Sequence, residues 1–73
     1  MNQTKLIEIL GKAPFGELFV AEDHVFVPKS VLTGAVFSDA YSTRNFWVFE
    51  IAFYKKIQDK MELPDVEVLT KIE

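Results

Sequence analysis

Cysteine is absent from this 73-residue chain, and histidine occurs once, at His24. The missing cysteines exclude disulfide bonds, iron–sulfur clusters, cysteine zinc sites and thiol catalysis. A single histidine also excludes a metal site with several imidazole ligands. We therefore predict no metal and no cofactor, and we expect stability to come from the core or from association with another chain.

Long apolar runs and clusters of like charge are missing as well. The most apolar window, 46–54, contains Glu50 and falls far short of the ~18 apolar residues of a membrane span. The run 6–10 is interrupted by Glu8 and is too short for the core of a signal peptide. Net charge is −3, without the basic excess typical of nucleic-acid-binding domains. We expect a cytoplasmic protein with neither a membrane segment nor a nucleic-acid partner.

The sequence also lacks a recognisable catalytic set. Its three glycines are isolated, which excludes a glycine-rich phosphate loop. Its serines have no nucleophile-elbow context. Acidic residues adjoin the histidine at 22–24, and a solvated hairpin turn is the favoured interpretation of that segment. We predict that the protein is not an enzyme.

What the chain has in abundance is apolar and aromatic residues: 49% of it is hydrophobic, with seven Phe and one Trp. Its length predicts a single domain, 1–73. A domain of this size buries only about 60% of its unfolded surface, so its stability is marginal. Aromatic side chains that bury ~150–250 Å² each can supply a dense core.

The first half of the chain predicts a short helix followed by a hairpin. Residues 4–10 fit a helix with Thr4 as N-cap, or less well a strand; Gly11 and Pro14 are stop signals that favour the helix. Residues 17–27 read as two β-prone runs around a polar turn. Residues 28–37 fit either a strand with a bulge or a short helix.

The second half is dominated by residues 46–57, whose aromatic and β-branched side chains alternate. This pattern predicts one long strand, to which Lys55 is the polar exception. Residues 65–72 predict a last strand, antiparallel to it. The predicted fold is α+β or mainly β: a small antiparallel sheet of four to five strands, open or curled into a barrel, with one short N-terminal helix.

The long strand would be apolar on both faces and would need cover on both sides. We favour the interpretation that the chain itself covers the second apolar face, as in a barrel, over the interpretation that this face binds a partner. The polar loop 38–45 adds Tyr and Arg, the residue types that most often anchor interfaces. The predicted partner-binding residues are Tyr41, Arg44, Phe46, Val48 and Tyr54.

These features predict a non-enzymatic protein-binding or modulator module that acts through an aromatic sheet face and a polar loop. A second copy of the chain is one candidate partner. The alternative is a single-stranded nucleic-acid-binding module that uses Arg44, Lys55, Lys56 and exposed aromatics. Neighbouring acidic residues would oppose a phosphate backbone, and such binding would depend strongly on salt.

Overall fold

The described part of the chain contains two α-helices, five strands and a short 3₁₀ turn. A computed structural model describes residues 2–14, 16–34, 37 and 40–72. In chain order the elements are α1 (Gln3–Lys12), β1 (Phe19–Ala21), β2 (His24–Pro28), β3 (Tyr41–Ser42), β4 (Phe46–Glu50), α2 (Ile51–Ile57), a 3₁₀ turn (Val66–Val68) and β5 (Thr70–Lys71).

The strands form one open, mixed sheet in the order β3-β4-β2-β1-β5. Three of the four pairings are antiparallel, and β5 lies parallel to β1. The α+β class is therefore confirmed, and the barrel alternative is not what forms. Within the described residues, neither helix has the length and apolar character needed to cross a bilayer.

The N-terminal helix and the hairpin lie where the sequence predicts them. Asn2, rather than Thr4, caps α1, since its side chain accepts a hydrogen bond of 2.8 Å from the Lys5 amide. The β1–β2 turn places Glu22 and Asp23 at φ of 51° and 59°. Positive φ at both central residues defines a type I′ turn, whose twist matches that of the paired strands.

The prediction of one strand over 46–57 is wrong beyond Glu50. The chain passes from β4 straight into α2, and a helix also satisfies the apolar pattern because Ile51, Tyr54 and Ile57 recur every three residues. The helix also explains the polar exception: Lys55 is exposed on α2, whereas a strand would turn it into the core. β4 ends at Glu50, which pairs with His24, the first residue of β2.

The predicted pairing of 65–72 with 46–57 is also wrong. After α2, the Leu63 amide donates to the Gln58 carbonyl while Glu62 adopts φ of 55°, a Schellman-type helix end. The chain then forms the 3₁₀ turn and reaches the far edge of the sheet, where Thr70 pairs with Phe19. Only two residues of the predicted last strand are extended in the sheet.

Pro28 is the last residue of β2, and residues 29–34 form neither the strand nor the helix considered above. Turns occupy 29–34, closed by hydrogen bonds from the Val31 and Leu32 amides to the carbonyls of Pro28 and Lys29. Ala35 and Val36 lie outside the described residues. Ser38 and Asp39, in the predicted loop 38–45, also lie outside the described residues. Residues 41–42 of that predicted loop form strand β3.

The core is divided by the sheet into two layers. On one face α1 covers three Phe rings, of Phe19, Phe26 and Phe46, whose centroids lie 4.5–6.3 Å apart. On the other face α2 and the segment that follows it cover a second cluster. Its buried members are Val20, Val25, Val27, Leu32, Phe49, Tyr54 and Val66. The chain's own elements thus cover both faces, as the favoured interpretation of the apolar strand expects.

Candidate binding surface at the β3 edge

The five residues predicted to bind a partner fall into two groups. Phe46, Val48 and Tyr54 are buried, with exposures of 7%, 3% and 0%. Tyr41 is 66% exposed, and Arg44 is exposed in the turn that joins β3 to β4. The structure therefore does not bring all five together on one accessible surface.

The buried three pack inside the protein on opposite faces of the sheet. Phe46 and Val48 lie in the cluster beneath α1, and Tyr54, a residue of α2, lies in the cluster on the other face. The Tyr54 hydroxyl donates to the Pro64 carbonyl and ties the helix to the segment after it. Burial, together with the negative charge of Asp65, raises the pKa of Tyr54. The aromatic sheet face is thus part of the core.

The accessible pair lies at an edge of the sheet. Strand β3 pairs with β4 on one side, and among the residues that the structure describes no strand lies on its other side. The Thr43 amide donates to the Phe46 carbonyl over 2.9 Å, so these two residues form a hydrogen-bonded pair. Such pairs alternate along an antiparallel ladder. The N–H and C=O of Ser42 therefore point away from β4, towards the open side.

An apolar groove lies between this edge and α1. It is a hollow of about 260 Å³, lined by residues that include Leu6, Tyr41 and Val48. We call this larger hollow the edge groove. A separate hollow of about 180 Å³ is lined by Phe46 and the turn residue Arg44. The residues that line the two hollows do not overlap.

A second apolar side chain is exposed on α1, outside the residues that line the hollow. Gln3 lines the larger hollow, and Ile7 follows one helical turn later. Ile7 is 62% exposed, close to the value for Tyr41.

Two cations lie at this edge. On the sheet face opposite α1, the Lys29 ammonium donates to the Ser42 hydroxyl over 2.6 Å and lies 5.0 Å from the centroid of the Trp47 ring. Arg44 occupies the β3–β4 turn. Among the residues that the structure describes, no carboxylate lies within 4.0 Å of either cation.

His24 also lines the larger hollow. Its Nδ1 lies 2.7 Å from the Glu22 carbonyl oxygen, which can only accept, so Nδ1 carries the proton. In the described part of the chain, no three His, Asp or Glu side chains are close enough together to hold a metal ion.

The nucleic-acid alternative draws on residues that the fold separates. Arg44 precedes the first residue of β4, whereas Lys55 and Lys56 lie in the helix after its last residue. The aromatic residues between them, such as Phe46 and Tyr54, are buried. Within the described ranges, Tyr41 is the aromatic side chain with large exposure.

Sequence reasoning missed β3, which it treated as loop. A signal was present, since Tyr41 and Thr43 are β-prone residues in alternation, and Arg44-Asn45 precede the next β-prone run. Thr43 also closes the turn, because its hydroxyl accepts a 2.9 Å hydrogen bond from the Phe46 amide.

The fold and the groove thus define a small α+β protein with a covered sheet and an accessible edge. No protein-family model, no curated protein and no solved structure matches this chain. Any function must therefore be argued from the geometry of the surface itself.

Proposed function

We propose that this chain is a non-enzymatic protein-binding module that receives an extended segment of a partner protein at the free edge of β3. The observation that carries the proposal is the outward-pointing backbone of Ser42 next to the exposed Tyr41 and the apolar edge groove. Addition of a strand to a sheet edge uses main-chain hydrogen bonds for affinity and side-chain pockets for specificity.

The expected affinity is low, because β3 is short. Ser42 offers one donor and one acceptor, and each hydrogen bond contributes about 1 kcal/mol net. Side-chain burial must supply the rest. Tyr41 and the groove are suited to this, since tyrosine is enriched among the residues that dominate binding energy. A short edge strand is also a common protection against aggregation, and that role is compatible with weak, reversible binding.

The direct test uses a capped seven-residue peptide of alternating valine and threonine, with binding followed by fluorescence anisotropy. Ser42→Pro removes the outward N–H without removing a bond to β4, and proline is tolerated at sheet edges. Ser42→Ala removes the hydroxyl and keeps the N–H, so it is the matched control. We expect about a fivefold loss of affinity for Ser42→Pro, the equivalent of one hydrogen bond, and less than twofold for Ser42→Ala.

Equal binding by wild type and Ser42→Pro would overturn the proposal. Amide shifts in an NMR titration add an independent check, since strand addition must perturb the amides of Tyr41 and Thr43 more than those of α2. Shifts confined to α2 would place the ligand elsewhere and would also contradict strand addition at β3.

Self-association remains a prediction, with the same edge as the candidate surface. Sedimentation equilibrium across a wide concentration range tests it. A dimer that dissociates in Ser42→Pro would show that a second copy occupies the edge, and the partner would then not be a different protein. A monomer at all concentrations leaves the edge open for one.

A further inference from the structure

The charges at the β3 edge specify which segment it would accept. An added strand directs successive side chains to opposite faces of the sheet. One set would lie over the edge groove with Tyr41, and the other would lie beside Ser42 and Lys29. We infer that the partner segment alternates apolar and acidic residues; this inference rests on the proposed function.

The groove face selects apolar side chains. Leu6 and Val48 provide the apolar part of its wall, and the remaining residues of the larger hollow are neutral polar groups, His24 and Tyr41. A charged side chain placed there would lose water without meeting an opposite charge. Valine, isoleucine or leucine would bury apolar area in the hollow.

The opposite face selects a carboxylate. The hydrogen bond to Ser42 and the contact with the Trp47 ring hold the Lys29 ammonium beside the strand edge. A carboxylate on the incoming strand, next to Ser42, would meet this ammonium, and Arg44 lies two residues further along the chain, in the β3–β4 turn. Since no described carboxylate already neutralises either cation, an acidic side chain gains an ion pair without breaking one.

The same charges disfavour a second copy of the chain in this position. The symmetric register would pair Ser42 with Ser42 of the other copy, and directly opposite residues share one face of a sheet. The two Lys29 ammoniums would then approach each other on that face. Like charges opposite one another are destabilising, whereas an acidic strand is attracted. The inferred occupant is therefore an acidic segment of a different protein.

Two capped peptides of seven residues separate the inference from the function on which it depends. One alternates valine with glutamate, and the other alternates valine with threonine. At low salt we expect the glutamate peptide to bind about tenfold more tightly, with the difference falling as salt screens the charges. Lys29→Met keeps an apolar stem and should weaken the glutamate peptide two- to fivefold, the range for exposed ion pairs.

The variant Arg44→Gln should have an effect of similar size, and Lys55→Met is the matched control because this exposed lysine lies on α2. We expect the control to bind both peptides as wild type does. None of the three substitutions should change affinity for the threonine peptide by more than twofold.

The outcomes are distinguishable. Equal affinity of the two peptides, with Ser42→Pro still weakening the binding of both, overturns the acidic preference and leaves strand addition intact. Binding of neither peptide overturns both. If the glutamate peptide binds Ser42→Pro as tightly as it binds wild type, it is held by charge attraction and not as an added strand. That result contradicts the inferred alternation of apolar and acidic residues. Tighter binding of an eight-nucleotide oligothymidine than of the glutamate peptide would assign the cations to nucleic acid instead.

Discussion

Strands β2 and β3 flank β4 in the same sheet and differ in the properties that separate a stabilising strand from a binding one. β2 has five residues, a neighbour on each side, and buried side chains at Val25, Phe26 and Val27. β3 has two residues, one neighbour, and exposed side chains. The comparison indicates that the centre of the sheet provides stability while its edge is free to make a new contact.

The largest expected effect is at the centre of β2. Phe26 is fully buried and contacts the rings of Phe19 and Phe46, so Phe26→Ala should destabilise the protein by about 3–5 kcal/mol. In a domain this small that loss can abolish folding, and Phe26→Leu, expected to cost about 1–1.5 kcal/mol, gives a measurable transition in urea. If neither variant changed the free energy of unfolding, the centre of the sheet would not be the source of stability that the comparison with β3 assumes.

The next effect extends the comparison to the helix that follows β4. Tyr54→Phe should cost about 1 kcal/mol through loss of the hydrogen bond to the Pro64 carbonyl. Because the folded state raises the pKa of Tyr54, it binds the phenolic proton more tightly than the unfolded chain does. The stability associated with this group is therefore complete below about pH 10 and falls as the pH rises further.

Urea unfolding of both proteins between pH 7 and pH 11 measures this effect. The wild-type free energy should fall faster than that of Tyr54→Phe above pH 10. Parallel curves would mean that Tyr54 ionises alike in the folded and unfolded states.

A smaller effect, of opposite sign, is expected at the turn that leads into β2. Asp23 is held at φ of 59°, and Asp23→Gly should stabilise the protein by roughly 0.5 kcal/mol, since glycine adopts this conformation without steric cost. Ser30→Gly, in an exposed turn without positive φ, is the control and should not stabilise. Thermal unfolding of the two variants distinguishes relief of backbone strain from a general effect of glycine.

The smallest effect on stability is expected at β3, where the effect on binding should be large. Tyr41→Ala should change the free energy of unfolding by less than about 0.5 kcal/mol. It should weaken the valine–threonine peptide fivefold or more, as loss of an anchoring tyrosine does. Peptide titration and urea unfolding of the same preparation test both. If Tyr41→Ala destabilised the protein as much as Phe26→Leu, β3 would contribute to stability as β2 does, and the proposed difference between the two strands would be wrong.

Local signals in the sequence were reliable where they agreed with one another. The stop signals after α1 and the polar turn of the β1–β2 hairpin act within a few residues, and the structure confirms both elements. The prediction failed at 46–57, where the apolar pattern fits both periods over a short window. Only Lys55 did not fit the alternation of a strand, and in the structure Lys55 is an exposed residue of the helix α2.

The candidate site was predictable only in part. Tyr41 and Arg44 stood out as interface residue types in a polar loop, and both are accessible in the structure. Phe46, Val48 and Tyr54 are residue types that also occur at interfaces, but in the structure they are buried in the core. Sequence alone cannot distinguish core residues from interface residues, because the same apolar side chain can serve in both. Whether it is buried depends on elements that are far away in the chain.

The sequence by itself determined that cysteine chemistry is absent, and it determined the aromatic core, the first helix and the hairpin, since each follows from composition or from contacts between near neighbours. Only the tertiary structure decided where β4 becomes α2, that β5 pairs with β1, and that β3 is left at an edge. These outcomes depend on contacts between residues far apart in the chain. Such contacts determine which apolar faces are covered, and so which backbone groups remain open to another molecule.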